Sequence, residues 1–101
     1  MSAITESANN LAAEFSTLGN PYRILIIRYL LQNREATWSE IKQFLETHFG
    51  SLNPNTLHFH LKELIKADLI GRSGRDEKGT YVLKSVPQEI SDAIKKKIRG
   101  V

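Results

Sequence analysis

The stretch Leu52-Asn-Pro-Asn-Thr-Leu-His-Phe-His-Leu-Lys-Glu-Leu-Ile-Lys-Ala-Asp-Leu-Ile70, followed by Gly71-Arg-Ser-Gly-Arg-Asp-Glu-Lys-Gly-Thr-Tyr-Val-Leu-Lys84, decides the fold. Asn53-Pro54 opens a helix, with Asn as N-cap and proline at the first helical position, where a backbone N–H has no partner to lose. Leu57, Leu61, Leu64 and Ile65 then recur at helical spacing and form one apolar face. Two short strands are predicted next, Leu69 to Ser73 and Thr80 to Lys84. The turn between them, Gly74-Arg-Asp-Glu-Lys-Gly79, is rich in charge, and its glycines suit positive φ. A capped helix thus runs into a β-hairpin with a charged tip, the outline of a recognition helix followed by a wing.

Three helices are predicted before this unit and one after it. The first covers residues 4–18, where Ile4, Ala8, Leu11, Phe15 and Leu18 form a narrow apolar seam that Gly19 ends. Asn20-Pro21 repeats the cap-plus-proline signature. Tyr22, Leu25, Ile26, Tyr29 and Leu30 line one side of the helix that follows. Ile24, Ile27 and Leu31 widen that surface nearly all round, which predicts the central core helix. Thr37-Trp-Ser-Glu40 reads as a capping box opening a third helix with Ile41, Phe44 and Leu45 inward. Thr47-His-Phe-Gly-Ser-Leu52 reads as a loose connection. The last helix begins near Ser85-Val-Pro-Gln88, with Ile90, Ile94 and Ile98 on one stripe and Lys95, Lys96, Lys97 and Arg99 around the rest. The expected fold is mainly α with a small β-hairpin wing (α+β), a winged helix-turn-helix. Its order is helix, helix, short β segment, helix, helix, strand, strand, helix, in a single domain over residues 1–101.

Composition limits the partners. With no cysteine among 101 residues, neither a disulfide framework nor a thiolate metal site is expected, which fits an intracellular protein. Met1-Ser-Ala-Ile-Thr-Glu has neither the basic start nor the apolar run of a signal peptide. Ile24 to Leu31 is interrupted by Arg28 and is too short to span a bilayer. The net charge of +3 is unevenly placed: residues 1–50 hold four basic and five acidic side chains, residues 51–101 ten basic and six acidic. The basic half points to a polyanionic partner. An isoleucine- and lysine-rich chain without cysteine also suits a thermophile or archaeon.

Leu18-Gly-Asn-Pro-Tyr-Arg-Ile-Leu25, Asn55-Thr-Leu-His-Phe-His-Leu-Lys-Glu-Leu64 and Ala67-Asp-Leu-Ile-Gly-Arg72 carry a family likeness. Over residues 15–84 the chain resembles the arsenic-repressor (ArsR) type of winged-helix transcription regulator, and more loosely the multiple-antibiotic-resistance (MarR) type. The resemblance implies a cytoplasmic, nucleoid-associated DNA-binding regulator. It also implies a homodimer through the terminal helices, with Ile4, Ala8, Leu11, Phe15, Ile90, Ile94 and Ile98 at the interface. Many relatives sense metals through cysteine pairs or Asp/His clusters on the last helix. This chain has no cysteine, and its last helix carries Glu89 and Asp92 without histidine, so no metal or other cofactor is expected. Relatives often place arginine or histidine where Phe59 stands, so their base preference does not transfer. The connection Thr47 to Leu52 reads as longer than the family's tight turn, which leaves the docking angle of the fourth helix open.

A helix advances about 100° per residue, so if Leu57 faces the core, Asn55, Phe59, Lys62 and Lys66 face outward with His58 at the edge. Asn55 is a candidate for bidentate pairing with adenine, and Phe59 for contact with a thymine methyl. Thr56 and the helix N-terminus are candidates for a phosphate, as are Lys62 and Lys66. On the wing, Arg72, Arg75 and Lys78 are candidates for the minor groove or the backbone, partly opposed by Asp76 and Glu77. His60 flanks the apolar face and reads as a half-buried structural histidine. His58 and His60 point too far apart to share a metal. Gly74 to Thr80 is no phosphate-binding loop, because Lys78 precedes Gly79 and a strand follows. No nucleophile–base pair, nucleotide loop or paired-carboxylate set stands out, so an enzyme is not expected. Two other readings stay open: a protein–protein assembly module anchored by Phe59, and a weakly specific chromosomal DNA-binding protein.

Overall fold

The computed structural model describes residues 3–74 and 79–98, leaving out the side chains of Asn10 and Leu11. Arg75, Asp76, Glu77, Lys78, Arg99 and the side chain of Leu11 therefore lie outside the described residues. The chain runs through α1 (Ala3–Leu18), α2 (Pro21–Asn33), β1 (Glu35–Thr37), α3 (Trp38–Phe49), α4 (Pro54–Lys66), β2 (Ile70–Ser73), β3 (Thr80–Leu83) and α5 (Gln88–Lys97). This is the winged-helix arrangement, mainly helical with a small antiparallel sheet in the order β1-β3-β2. The short strand β1 pairs Ala36 with Tyr81, and β2 pairs Arg72 with the same tyrosine and Ile70 with Leu83. Buried Ala36 and Tyr81 thereby fasten the hairpin to the helical body.

The caps form as their sequences dictate. Tyr22 N–H donates to Asn20 Oδ1 at 2.9 Å, opening α2. Thr37 N–H donates to Glu40 Oε1 at 2.9 Å while Glu40 N–H donates to Thr37 Oγ1 at 3.2 Å, a complete capping box for α3. The core gathers Ile26, Ile27 and Leu30 of α2, Ile41 and Leu45 of α3, and Leu57, Leu61 and Leu64 of α4, with Leu69 and Ile70 closing it from the sheet side.

Three expectations need correcting. The first concerns the end of α3, which continues through Thr47, His48 and Phe49, leaving only residues 50–53 as the connection to α4. Thr47 Oγ1 donates to the Gln43 carbonyl at 2.9 Å, His48 packs edge-on to Phe44 at 4.8 Å, and Phe49 meets Tyr22 at 4.3 Å. Those contacts make a polar-looking segment helical. Gly50, at φ 84 and ψ −165, then stops it. The turn is tight, not loose.

The second correction is that Ile65 is 40% exposed. The buried face of α4 consists of His60, Leu64, Leu57 and Leu61, at roughly −60°, −20°, 0° and 40° around the axis, so Ile65 at roughly 80° falls outside it. Third, the α5 stripe faces its own chain: Ile94 is buried, and Ile90 and Ile98 pack half-buried against the core. Helix α5 starts at Gln88, after Pro87, within the stretch the sequence marks, and Ile98 is its C-cap. The Ile98 carbonyl accepts from Arg28 Nε at 3.3 Å, which ties the end of α5 to α2.

Helix α1 is different. Leu18 is the only buried side chain among its described residues, while Ile4 is 83% and Phe15 56% exposed.

Candidate nucleic-acid interface

The geometry of α4 is fixed at both ends. Before it, the Glu46 carboxylate braces the turn: Leu52 N–H donates to Oε2 at 3.0 Å and Lys42 Nζ to Oε1 at 3.0 Å. The Leu52 amide first, and the Lys42 ammonium second, hold the Glu46 carboxyl below the usual carboxylate range. After it, Asp68 adopts φ 62 and pairs with Lys84 Nζ at 2.9 Å, turning the chain into β2. The Lys84 ammonium holds the Asp68 carboxyl below its ordinary range.

Between these braces, Asn55, Thr56, His58, Phe59, Lys62 and Lys66 are all exposed, opposite the buried leucines. The expected outward face therefore exists. Its N-terminus is not an open anion site, however. Asn53 Oδ1 accepts from Asn55 N–H at 2.8 Å, and the Asn53 carbonyl accepts from Thr56 and Leu57 N–H at 3.0 and 3.2 Å. Pro54 has no N–H. The first-turn amides of α4 thus already have acceptors, and the Thr56 side chain stands exposed beside them.

His58 stacks on Trp38, the first residue of α3, with ring centroids 5.0 Å apart. That contact holds it at the edge of the face. His60 lies in the core, stacked on Tyr22 at 5.4 Å, with Nδ1 accepting from Arg23 Nε at 3.0 Å. An Nδ1 that accepts leaves the ring proton on Nε2, so the imidazole is neutral. Burial first, and the Arg23 charge second, hold its pKa below the ordinary value. The two histidines serve different neighbours. Among the described residues no cluster of His, Cys, Asp or Glu suits a metal ion, and no helix is long and apolar enough to cross a membrane.

Arg23 is the residue that sequence reasoning missed. It also lies 5.5 Å over the Phe59 ring. Its position, two residues after the proline of α2, marks the first turn of a core helix but gives no sign of a partner on α4. On the wing, Arg72 is exposed and its guanidinium sits 5.6 Å over the Tyr81 ring. A groove of about 530 Å³ opens between α1, α2 and α5, walled by Phe15, Leu18, Ile24, Ile90, Ile94 and Ile98.

A braced helix-turn-helix with a polar, cationic outer face and a strand-paired wing defines a winged-helix protein of the DNA-binding class. The chain belongs to the helix-turn-helix domain family, whose model matches residues 18–71, more than half its length. Among solved structures it is similar to reduced HlyU from Vibrio cholerae, at 21% identity over 95% of this chain and 93% of that one, with a TM-score of 0.72. NolR from Sinorhizobium fredii is similar at 22% identity over 96% and 90%, with a TM-score of 0.68. A transcriptional regulator homologue protein from Pyrococcus horikoshii is similar at 26% identity over 80% and 76%, with a TM-score of 0.55. No curated protein matches the chain.

Proposed function

We propose that the chain is a homodimeric transcription regulator of the ArsR type that binds a pseudo-palindromic duplex site. In this reading α4, within residues 53–67, enters the major groove, and the wing, residues 69–84, lies on the adjacent backbone or minor groove. The observation that carries it is the outer face of α4. Phe59 is 52% exposed beside Asn55, Lys62 and Lys66, although the same helix buries every leucine it has. Beyond its contact with the Arg23 guanidinium, a half-exposed aromatic ring between lysines gains little from its own fold. In a major groove it meets a thymine methyl, Asn55 meets an adenine edge, and the lysines meet phosphates.

Support for the dimer comes from α1. A helix of 16 residues with so little burial in its own chain is marginal in water. A second copy covering Ile4, Ala8 and Phe15 beside the groove of α5 supplies the missing contact. Two-fold symmetry then sets the two α4 helices roughly 34 Å apart, one turn of duplex. Occupancy of such a site blocks polymerase most simply, and nothing in the family or fold calls for catalysis.

The test is selection of tight-binding duplexes from a genomic pool, titrated at two salt concentrations. A recovered palindrome with half-sites one helical turn apart is the expected result. Uniform, steeply salt-dependent binding to every duplex favours chromosome coating instead. Absence of binding at low salt removes the DNA reading and leaves protein assembly through Phe59.

A further inference from the structure

Arg23 lies between the end of α1 and the outward face of α4. Its Nη1 donates to the Thr17 carbonyl at 3.1 Å, and its Nε donates to His60 Nδ1 at 3.0 Å. Two hydrogen bonds in different directions fix the plane of a guanidinium, whose donors are set in a rigid fork. The group so fixed lies over the Phe59 ring, 5.5 Å from its centroid. The other ring contact of Phe59 among the described residues is with His60, its neighbour in sequence, at 5.8 Å.

We propose that Arg23 is a positioning residue for base discrimination: held by Thr17 and His60, it sets the pose in which Phe59 is offered to the major groove. The proposal rests on the DNA-binding reading of α4. Arg23 itself is half-buried, with one Nη1–H given to Thr17 and its Nε–H to His60, and its effect on DNA is placed in the ring of Phe59 that it covers.

The arrangement also depends on protonation. His60 faces Arg23 and Tyr22 from α2 and Phe59 on its own helix; Arg23 is the one charged group that acts on it among the described residues. A proton on Nδ1 meets the Arg23 Nε–H head-on, so the hydrogen bond is lost and two cations are left adjacent. Acid therefore removes one of the two bonds that hold the guanidinium, and with it the fixed pose of the Phe59 ring.

The test uses the full chain and the duplex recovered by selection, compared with a scrambled duplex of the same length. Arg23→Gln should lower the ratio of the two affinities roughly two- to fivefold, the range of a partly exposed cation–π contact. Affinity for the scrambled duplex should fall only by what the loss of one positive charge costs every duplex alike. In a Phe59→Ala background Arg23→Gln should lower the ratio no further. His60→Asn places an amide oxygen near Nδ1 and cannot titrate, so it should keep the ratio on acidification while the wild-type chain loses it. Should Arg23→Gln fail to fold, the wild-type chain decides by nuclear magnetic resonance without DNA: the Phe59 ring signals should move with the titration of His60. An unchanged ratio in Arg23→Gln, an equal loss with and without the Phe59 ring, or Phe59 signals that ignore His60 overturns the proposal. A wild-type chain with no preferred duplex overturns the reading of α4 itself, before any variant is compared.

Discussion

Asn53 performs two tasks at one position. It caps α4 with its side chain and occupies the first amides with its carbonyl. Asn53→Ala should cost about 1 kcal/mol in thermal or urea denaturation. His60 gives stability a pH dependence whose sign follows from its depressed pKa. The unfolded imidazole takes up a proton near pH 6.5, while the folded one resists until lower pH. Stability is therefore full above about pH 6.5 and declines as pH falls toward the folded pKa. Urea midpoints for wild type should drop across this window, and those of His60→Asn should drop less. At this scale the outward set of α4 was legible from rotation alone. Rotation also set His60 beside the apolar face, but its full burial, with Ile65 left exposed, was not legible, because it depends on Arg23 of α2 offering a hydrogen bond. A helical wheel contains no information about that partner.

The turn between α3 and α4 sets how α4 is presented. Gly50, at φ 84 and ψ −165, occupies a region that side chains other than glycine's hardly enter. No atom lies within 4 Å of where a Cβ would stand, so the penalty of Gly50→Ala is purely conformational. It should be about 1–3 kcal/mol by denaturation. Glu46 should govern the same turn by charge. Its depressed carboxyl pKa makes the brace present above the ordinary carboxylate pKa and lost as pH falls through the folded value. Hydrogen exchange at the Leu52 amide reads this directly: Glu46→Ala should accelerate it at neutral pH, and protection in the wild type should weaken only in acid. The capping box and the two cap-proline pairs announced where α3, α2 and α4 begin. The end of α3 was hidden because Thr47-His-Phe-Gly carries loop-like residues. The contact that keeps it helical, Phe49 on Tyr22, is with a different helix.

For the whole molecule, apolar stripes at either end of the chain looked alike in sequence and differ in the fold. The α5 stripe packs on its own chain, with Ile94 buried and Ile90 and Ile98 half-buried along the groove, whereas Ile4 and Phe15 of α1 remain open. Periodicity reports that a face is apolar, not which neighbour covers it. Phe15→Asp should therefore shift the sedimentation of the chain from dimer to monomer. It should weaken binding to a palindrome far more than binding to a half-site, and leave the urea midpoint of the monomer nearly unchanged. A wild-type chain that sediments as a monomer at micromolar concentration removes the dimer from the proposal.

Thr37 belongs to two structures at once. It faces Thr80 across the sheet, and it is the N-cap of α3. No linker separates wing from helix-turn-helix, so the two cannot swivel independently. For a chain seated on DNA, any mismatch between their separation and the groove spacing must then be absorbed by the duplex. Stiffness of the base steps between the two contacts thereby becomes part of what is read, and sites with easily unstacked pyrimidine–purine steps there gain affinity without a single side chain touching them.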